Sequence, residues 1–361
     1  MHAEIINTLD EFQKCERLYE MVLSKMEPIR DNVFQLYKWH EISLKTFLCK
    51  PLIVVIYEGA SPVALFPLWL RESNKWGVPY QYIEFINSQN VNYYEFMIVR
   101  EVDHDEILRT FFKALKSLEK INSTYIDLPP LVINNLDSLS RKIRSFSFIE
   151  NVLYTTAAPF AAIEGDWDWY FRSYIKKKLR DDFKRLIGKA TREIGEVTLD
   201  YASPAELDLF FEMHIKEWEK RGEKSRYLTL DNRQFEKALL SDFKFIDFSK
   251  LVFGKHTVAY HLGYKYRGHF YYSRPAFNIQ FDHFSPGKLL LMKLLEREIR
   301  QGSKIFDLGR GQQQYKYWFA KDDLHLTTIR IFYNKKIYSA FKLMQNLSKG
   351  KKDENKQSKM V

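Results

Sequence analysis

The phrase Ser-x-x-x-Asp-Leu occurs twice in this chain, as Ser123-Thr-Tyr-Ile-Asp127-Leu128 and as Ser303-Lys-Ile-Phe-Asp307-Leu308. Each copy follows a segment whose apolar residues recur three and four apart, HDEILRTFFKALKSLEK from His104 and PGKLLLMKLLEREIRQ from Pro286, which is the spacing of an amphipathic helix. Ahead of each helix stand two β-rich runs around a glycine-containing turn, PLIVVIYEGASPVALFPLWL (Pro51 to Leu70) and KLVFGKHTVAYHLGYKY (Lys250 to Tyr266). Both read as hairpins, and Val-Ala opens the second run in each, at Val63-Ala64 and Val258-Ala259. One such match is ordinary α+β punctuation in a chain rich in Val, Ile and Leu. The same elements in the same order imply a duplicated unit. The expectation is an α+β fold of mixed sheets with flanking helices, in two domains over 1–160 and 161–347. The boundary falls near Ala157 to Trp167, where an Ala-Pro and a Glu-Gly-Asp turn break the pattern.

A chain of 361 residues with 28 Phe and 22 Tyr has enough apolar material for two cores. Its net charge of +10 favours an anionic partner: a nucleotide cofactor, a nucleic acid or a lipid surface. Part of the excess lies in SKGKKDENKQSKMV, residues 348–361, a nearly apolar-free basic tail expected to be disordered. Cys15 and Cys49 are too few for a disulfide framework and lack metal-ligand spacing, so both are expected to stay reduced and no metal site is expected. The opening MHAEIINTLDEF has no basic region followed by an apolar run, and no stretch reaches the length of a membrane span. A cytoplasmic protein is expected, with the inner face of the membrane as a peripheral site.

Two glycine-containing turns compete as a phosphate site. In Ser285-Pro286-Gly287-Lys288 the serine reads as an N-cap and the proline as the first helical residue, so backbone N–H groups and the positive end of the helix dipole point out of the turn. Gly287 allows close approach and Lys288 adds a charge. The first copy has Asp103, His104, Asp105 and Glu106 at the equivalent helix start, where carboxylates repel an anion. Leu308-Gly309-Arg310-Gly311-Gln312 lacks the third glycine of a dinucleotide fingerprint and the Lys-Ser/Thr of a P-loop, which excludes both nucleotide motifs. On pattern alone, Ser285 to Lys288 reads equally as a plain capped helix.

The order hairpin, strand (His269 to Pro275), glycine-containing turn, helix, strand, short helix and final strand (Leu326 to Tyr333) resembles the acyltransferase core of the GNAT superfamily. Individual phrases resemble its CelD/BcsL-type, cellulose biosynthesis acetyltransferase-like branch. They are Asn92-Tyr93-Tyr94-Glu95-Phe96, His214-x-x-x-Trp218, Ser285-Pro286-Gly287 and Asp307-Leu308-Gly309-Arg310-Gly311 followed by Tyr315-Lys316. The resemblance runs from about Phe34 to Tyr333 and implies tandem GNAT-like domains in a Fem-like arrangement. The first would be the acceptor side with a degenerate donor site. The second would bind acyl-CoA as co-substrate, its pyrophosphate on Ser285 to Lys288. The chain departs from the pattern in having less glycine in that turn, and in Asn92 where the branch often has Asp.

What the resemblance implies for individual residues is the following. Lys316 matches in context the lysine of Fem enzymes that stabilises the oxyanion, and Arg310 is its companion for an anionic group. Asp307 would orient one of these or accept a proton, although Asp127 shares its place in the first copy, where ending a strand is reason enough. Glu95 and His261 are the remaining candidates for a base. His214 and Trp218 share a helical face and are expected to pack together.

The segment Phe171 to Glu193 carries nine Lys/Arg against Asp181, Asp182 and Glu193, with apolar residues at helical intervals. This basic amphipathic helix reads either as a solvated face or as a contact for a tRNA or an anionic membrane surface. The implied activity is N- or O-acyl transfer from acyl-CoA to a sugar, cell-envelope or small-molecule acceptor. The alternatives are an aminoacyl-tRNA-dependent Fem-like transferase and a non-catalytic GNAT module in polysaccharide assembly. Acyl length and oligomeric state leave no mark on the sequence.

Overall fold

The computed structural model describes residues 1–27, 32–75, 78–121, 123–133 and 135–343. The expected tail at 348–361 lies outside them, as do the last residues of the 161–347 unit. The described strands are β1 (His2–Ile6), β2 (Lys50–Glu58), β3 (Ser61–Lys75), β4 (Val78–Phe85), β5 (Met97–Ile98), β6 (Ile126–Val132), β7 (Ile149–Ala162), β8 (Val197–Tyr201), β9 (Ile246–Phe253), β10 (His256–Tyr266), β11 (His269–Phe277), β12 (Ile305–Asp307) and β13 (Asp322–Phe332). They form one sheet in the order β1-β2-β3-β4-β6-β13-β7-β12-β11-β10-β9-β8, with β5 on β3.

Nearly every pair is antiparallel, and the two exceptions mark the repeat. β4 runs parallel to β6, with Glu84 opposite Asp127, and β11 runs parallel to β12, with Tyr271 opposite Asp307. Parallel neighbours need a long crossover, which the helices His104–Ser117 and Pro286–Arg300 supply. The two aspartates singled out by the sequence therefore occupy matching places.

The halves are not laid side by side as closed units. β7 pairs along its length with β13, from Ile149↔Phe332 to Phe160↔Asp322, and its last residues pair with β12. β13, the last of the described strands, lies between β6 and β7, inside the first half's sheet. Position 160, the boundary read from the sequence, falls within β7.

Packing follows from the same patterns. β2 buries six consecutive residues, Pro51 to Ile56, because helices cover both its faces. Ile107, Phe111, Phe112 and Leu115 lie on one face against Val54, Phe66 and Leu128, while Tyr19, Val22 and Leu23 cover Ile53, Val55 and Leu65 on the other. In the second half Leu289, Leu290, Met292, Leu294 and Leu295 pack with Phe183, Leu186, Leu251, Phe270 and Phe306. Full burial of such a side chain contributes roughly 1.5–3 kcal/mol. Across the halves Trp39 meets Phe235 and Tyr264 at ring separations of 5.2 and 5.4 Å, and Phe34 meets Tyr271 at 5.5 Å.

In the first copy Asp127 receives both arms of the Arg330 guanidinium, each at 2.6 Å, and Arg330 lies 3.8 Å from the centre of the Tyr125 ring. This bidentate pair fastens β13 to β6. Burial pushes the Asp127 carboxyl up in pKa, and Arg330 opposes that shift. Removing the guanidinium leaves a mostly buried carboxylate without its partner, so Arg330→Met is expected to lower unfolding free energy by roughly 3 kcal/mol. Arg109→Ala, which breaks an exposed pair with Asp105, is expected to cost no more than about 1 kcal/mol. Urea denaturation of both variants makes the comparison; equal midpoints would show that Arg330 does not hold the exchanged strand.

Candidate functional site

After Tyr271 and Asp307 the parallel strands β11 and β12 cease to pair, and a cavity of about 970 Å³ opens where they diverge. Its walls include Tyr272 to Pro275 on one strand, Leu308 to Arg310 beyond the other, and Gln89 to Asn92 of the first half. Six sequence-selected residues border it together: Ser285, Pro286, Gly287, Lys288, Arg310 and Lys316.

The helix starts of the two copies differ as their residues demand. At the first, the Asp103 side chain accepts from the N–H groups of Asp105 (2.8 Å) and Glu106 (3.3 Å), closing the end with its own carboxylate. At the second, Pro286 occupies the first helical position as expected, but Ser285 does not cap it. Ser285 has left-handed backbone angles (φ 53°, ψ 55°), and its hydroxyl makes no capping bond. The N–H groups of Lys288 and Leu289 turn back to the Ser285 carbonyl at 3.0 and 3.2 Å, while that of Gly287 has no acceptor among the described residues. The positive end of this helix therefore faces the cavity uncapped. The Lys288 ammonium is already paired with Asp182 at 2.6 Å and lies over the Trp318 ring, so its charge is partly neutralised.

At the cavity wall Asp307 and Lys316 hold the Gly309 turn from both sides, through successive peptides. Asp307 accepts the Gly309 N–H at 2.6 Å and the Tyr93 hydroxyl at 2.5 Å; Lys316 donates to the carbonyls of Gly309 (2.8 Å) and Arg310 (2.7 Å). Gly309 has φ +71°, and an added Cβ would lie 3.1 Å from the Asn92 amide and from the Tyr272 carbonyl, so only glycine suits the position. Burial pushes Asp307 up to about 6, against the opposing effects of Tyr93, the Gly309 N–H and Lys316. Burial also pulls Lys316 down to about 8, with Asp307 opposing and Arg310 adding to the shift. Two of the three ammonium protons of Lys316 are committed to carbonyls, which leaves one for the cavity.

The other two base candidates are corrected. Glu95 is buried outside the cavity wall, with its backbone carbonyl accepting from Gln35. His261 is fully buried, stacks on Tyr272 at 4.7 Å, and accepts the Ser273 N–H at 3.1 Å; burial lowers its pKa, so the ring is a neutral packing element beneath β11. Two carboxylates do border the cavity, Asp282 and Glu217; the sequence reading passed over Glu217 although it sits inside the His214-x-x-x-Trp218 phrase. It accepts the Phe277 N–H at 2.9 Å and pairs with Arg221. Burial raises its pKa, and the Phe277 bond opposes the rise. His214 and Trp218 stack at 5.1 Å, as their spacing predicts.

The fold that carries this site is that of a tandem GNAT protein. Residues 177–317 match the family model described as an acetyltransferase (GNAT) domain, a stretch that holds all six of those cavity residues. The whole chain is similar to the crystal structure of FemX, at 12% identity and a TM-score of 0.65 over 94% of this chain and 99% of that one. It is also similar to a tandem GNAT protein from the clavulanic acid biosynthesis pathway, at 11% identity and a TM-score of 0.52 over 92% and 99%. At these identities the likeness concerns the fold. No curated protein matches the sequence.

The buried Asp307 supplies a pH test. Its folded pKa lies above the 3.8 of a free aspartate, so the folded state binds the extra proton, and this contribution to stability is lost as pH rises from about 4 to about 6. A shift of two units corresponds to about 3 kcal/mol. The stability difference between the native chain and Asp307→Asn is expected to change by that order across the window. In Tyr93→Phe, which removes a bond to the carboxylate, the upper edge of the window moves to higher pH. A difference independent of pH would mean that Asp307 is ionised throughout.

Proposed function

We propose that the chain is an acyl-CoA-dependent GNAT acyltransferase of the CelD/BcsL type, moving an acyl group to an amine or hydroxyl of a sugar, cell-envelope or small-molecule acceptor. The observation that carries this reading is the uncapped start of the helix Pro286–Arg300, open to the cavity where its counterpart is closed by Asp103. A pyrophosphate suits the positive end of a helix and the free N–H of Gly287, and the divergence of β11 and β12 gives a thioester arm a way in.

In this reading the third proton of Lys316 meets the oxyanion of the tetrahedral species, where a donor in a dry site acts most strongly. Glu217, at the cavity wall, accepts the proton of the attacking amine or hydroxyl. The acyl carbon is then bonded to the acceptor nitrogen or oxygen, the carbon–sulfur bond breaks, and the leaving thiolate takes up the proton held by Glu217, so CoA departs as the thiol. Asp307 and Tyr93 hold the Gly309 turn and do not meet the substrate.

Titration with CoA tests the donor. An added Cβ at Gly287 would meet only a Phe277 ring carbon, at 3.6 Å, so Gly287→Val is expected to fold normally and to weaken CoA binding at least tenfold. Lys316→Met is expected to keep CoA affinity and to lower the single-turnover rate about a hundredfold, the usual effect of losing one oxyanion donor. Unchanged CoA affinity in a folded Gly287→Val protein would remove the donor assignment.

The FemX-like fold and the lysines at the start of the helix Lys177–Glu193 favour a second reading, transfer from an aminoacyl-tRNA. Lys176, Lys177 and Lys178 are exposed at a helix N-terminus, where positive charge opposes the helix dipole and is better matched by an anion. Arg180, grouped with them on sequence, is otherwise engaged: its guanidinium donates to the carbonyls of Arg172 (2.6 Å) and Ile175 (2.7 Å). Changing the three lysines to Gln is expected to flatten the salt dependence of tRNA binding by roughly one unit of slope for each phosphate they neutralise. An unaltered slope removes this reading, and a protein that responds to neither CoA nor tRNA would be a non-catalytic module.

A further inference from the structure

We propose that the cavity wall formed by Asn90, Lys224, Arg226 and Asn232 is a subsite for a carboxylate or phosphate group on the acceptor. This rests on the acyltransferase reading for the word acceptor, and on the cavity itself for the anion. Seven Lys or Arg residues border the cavity against two carboxylates, Glu217 and Asp282, so a bound anion would enter a positive field.

The cations away from the helix start are unequally matched. Arg221 pairs with Glu217, and Arg274 with the fully buried Glu236 at 3.1 Å. Arg226 reaches only neutral acceptors, the Asn90 side chain and the Gln89 carbonyl, and its solvent-inaccessible Nε has no hydrogen-bond partner. Lys224 is exposed and has no ion pair among the described residues. Burial and then the neighbouring Arg274 disfavour the charge on Arg226, with Tyr227 and Glu236 opposing them in part. The field reaches His214, whose pKa falls to about 3 through burial first and then Arg226, Arg274 and Arg221.

Two guanidiniums held together beside a cavity, with one carboxylate that ion-pairs only with Arg274, are relieved by an anion between them. Two amides complete the wall and hold its shape: Asn232 donates to the Arg226 carbonyl and to the Thr229 hydroxyl, and Asn90, from the first half, accepts from the Arg226 guanidinium, which leaves Arg226 and Lys224 as the donors to the anion. The subsite thus needs both halves of the chain, and it is distinct from the helix start that faces the same cavity.

The test measures thermal stabilisation by inorganic phosphate and by acetate, with the helix start saturated by CoA and again without CoA. The native chain is expected to respond to at least one anion in both settings. Phosphate alone assigns a phosphoryl acceptor, and acetate alone a carboxylate one. Arg226→Gln and the exposed variant Lys224→Gln are each expected to weaken the response about tenfold, in line with hydrogen bonds to charged groups, with CoA affinity unchanged. No anion response in the native chain, or a full response in both variants, overturns the subsite. Loss of CoA binding in a folded Arg226→Gln protein overturns it too, because the arginine would then serve the donor. If CoA does not bind the native chain, the donor assignment fails while the anion response still decides the subsite.

Discussion

The pairing of β7 with two strands at once is the constraint on which the rest depends. Its ladder to β13 and its short contact with β12 turn the strands of both copies into one hydrogen-bonded surface. Neither copy has all its sheet neighbours without a strand from the other end of the chain. The inter-half aromatic contacts of Trp39 and Phe34 add apolar area to a junction the backbone has already made.

That junction gives the cavity its shape. β12 is only three residues long, and beyond Asp307 the chain bends away through Gly309, whose left-handed conformation leaves no room for a side chain between Asn92 of the first half and the Tyr272 carbonyl of the second. Tyr93 reaches from the first half to Asp307, and that carboxylate in turn holds the Gly309 N–H. Equivalent aspartates thus have different duties: Asp127 is occupied by Arg330 and secures a strand, while Asp307 secures the turn that borders the cavity.

Charge separates the two copies further. The first closes its helix start with Asp103, and the second leaves its own open and surrounds the space with Arg and Lys. Low polarity behind the wall moves Asp307 and Lys316 towards each other, to about 6 and about 8, so each sits closer to neutral pH than a free side chain of its type. Groups in that range change charge readily, which suits a site where protons move.

Much of this was legible in residue order. Both hairpins, both crossover helices and both Ser-x-x-x-Asp strands were readable because apolar spacing and turn residues are local properties, and the anion-attracting helix start at Ser285 to Lys288 could be told from the acidic one at Asp103. What spacing could not supply was the exchange of β7 and β13, since strand partners far apart in sequence leave no local signal. The same limit hid which carboxylates reach the cavity: Glu95 and His261 have suitable chemistry but lie in packed surroundings outside its walls, whereas Glu217, which borders it, stood in a phrase read as packing. Ser285 was read as a cap from its type, yet its backbone conformation turns the hydroxyl from that duty. Residue order determined which elements form and which side chains have reactive chemistry; tertiary structure decided which of them share a cavity, because burial, charge pairing and the free end of a helix depend on neighbours brought from elsewhere in the chain.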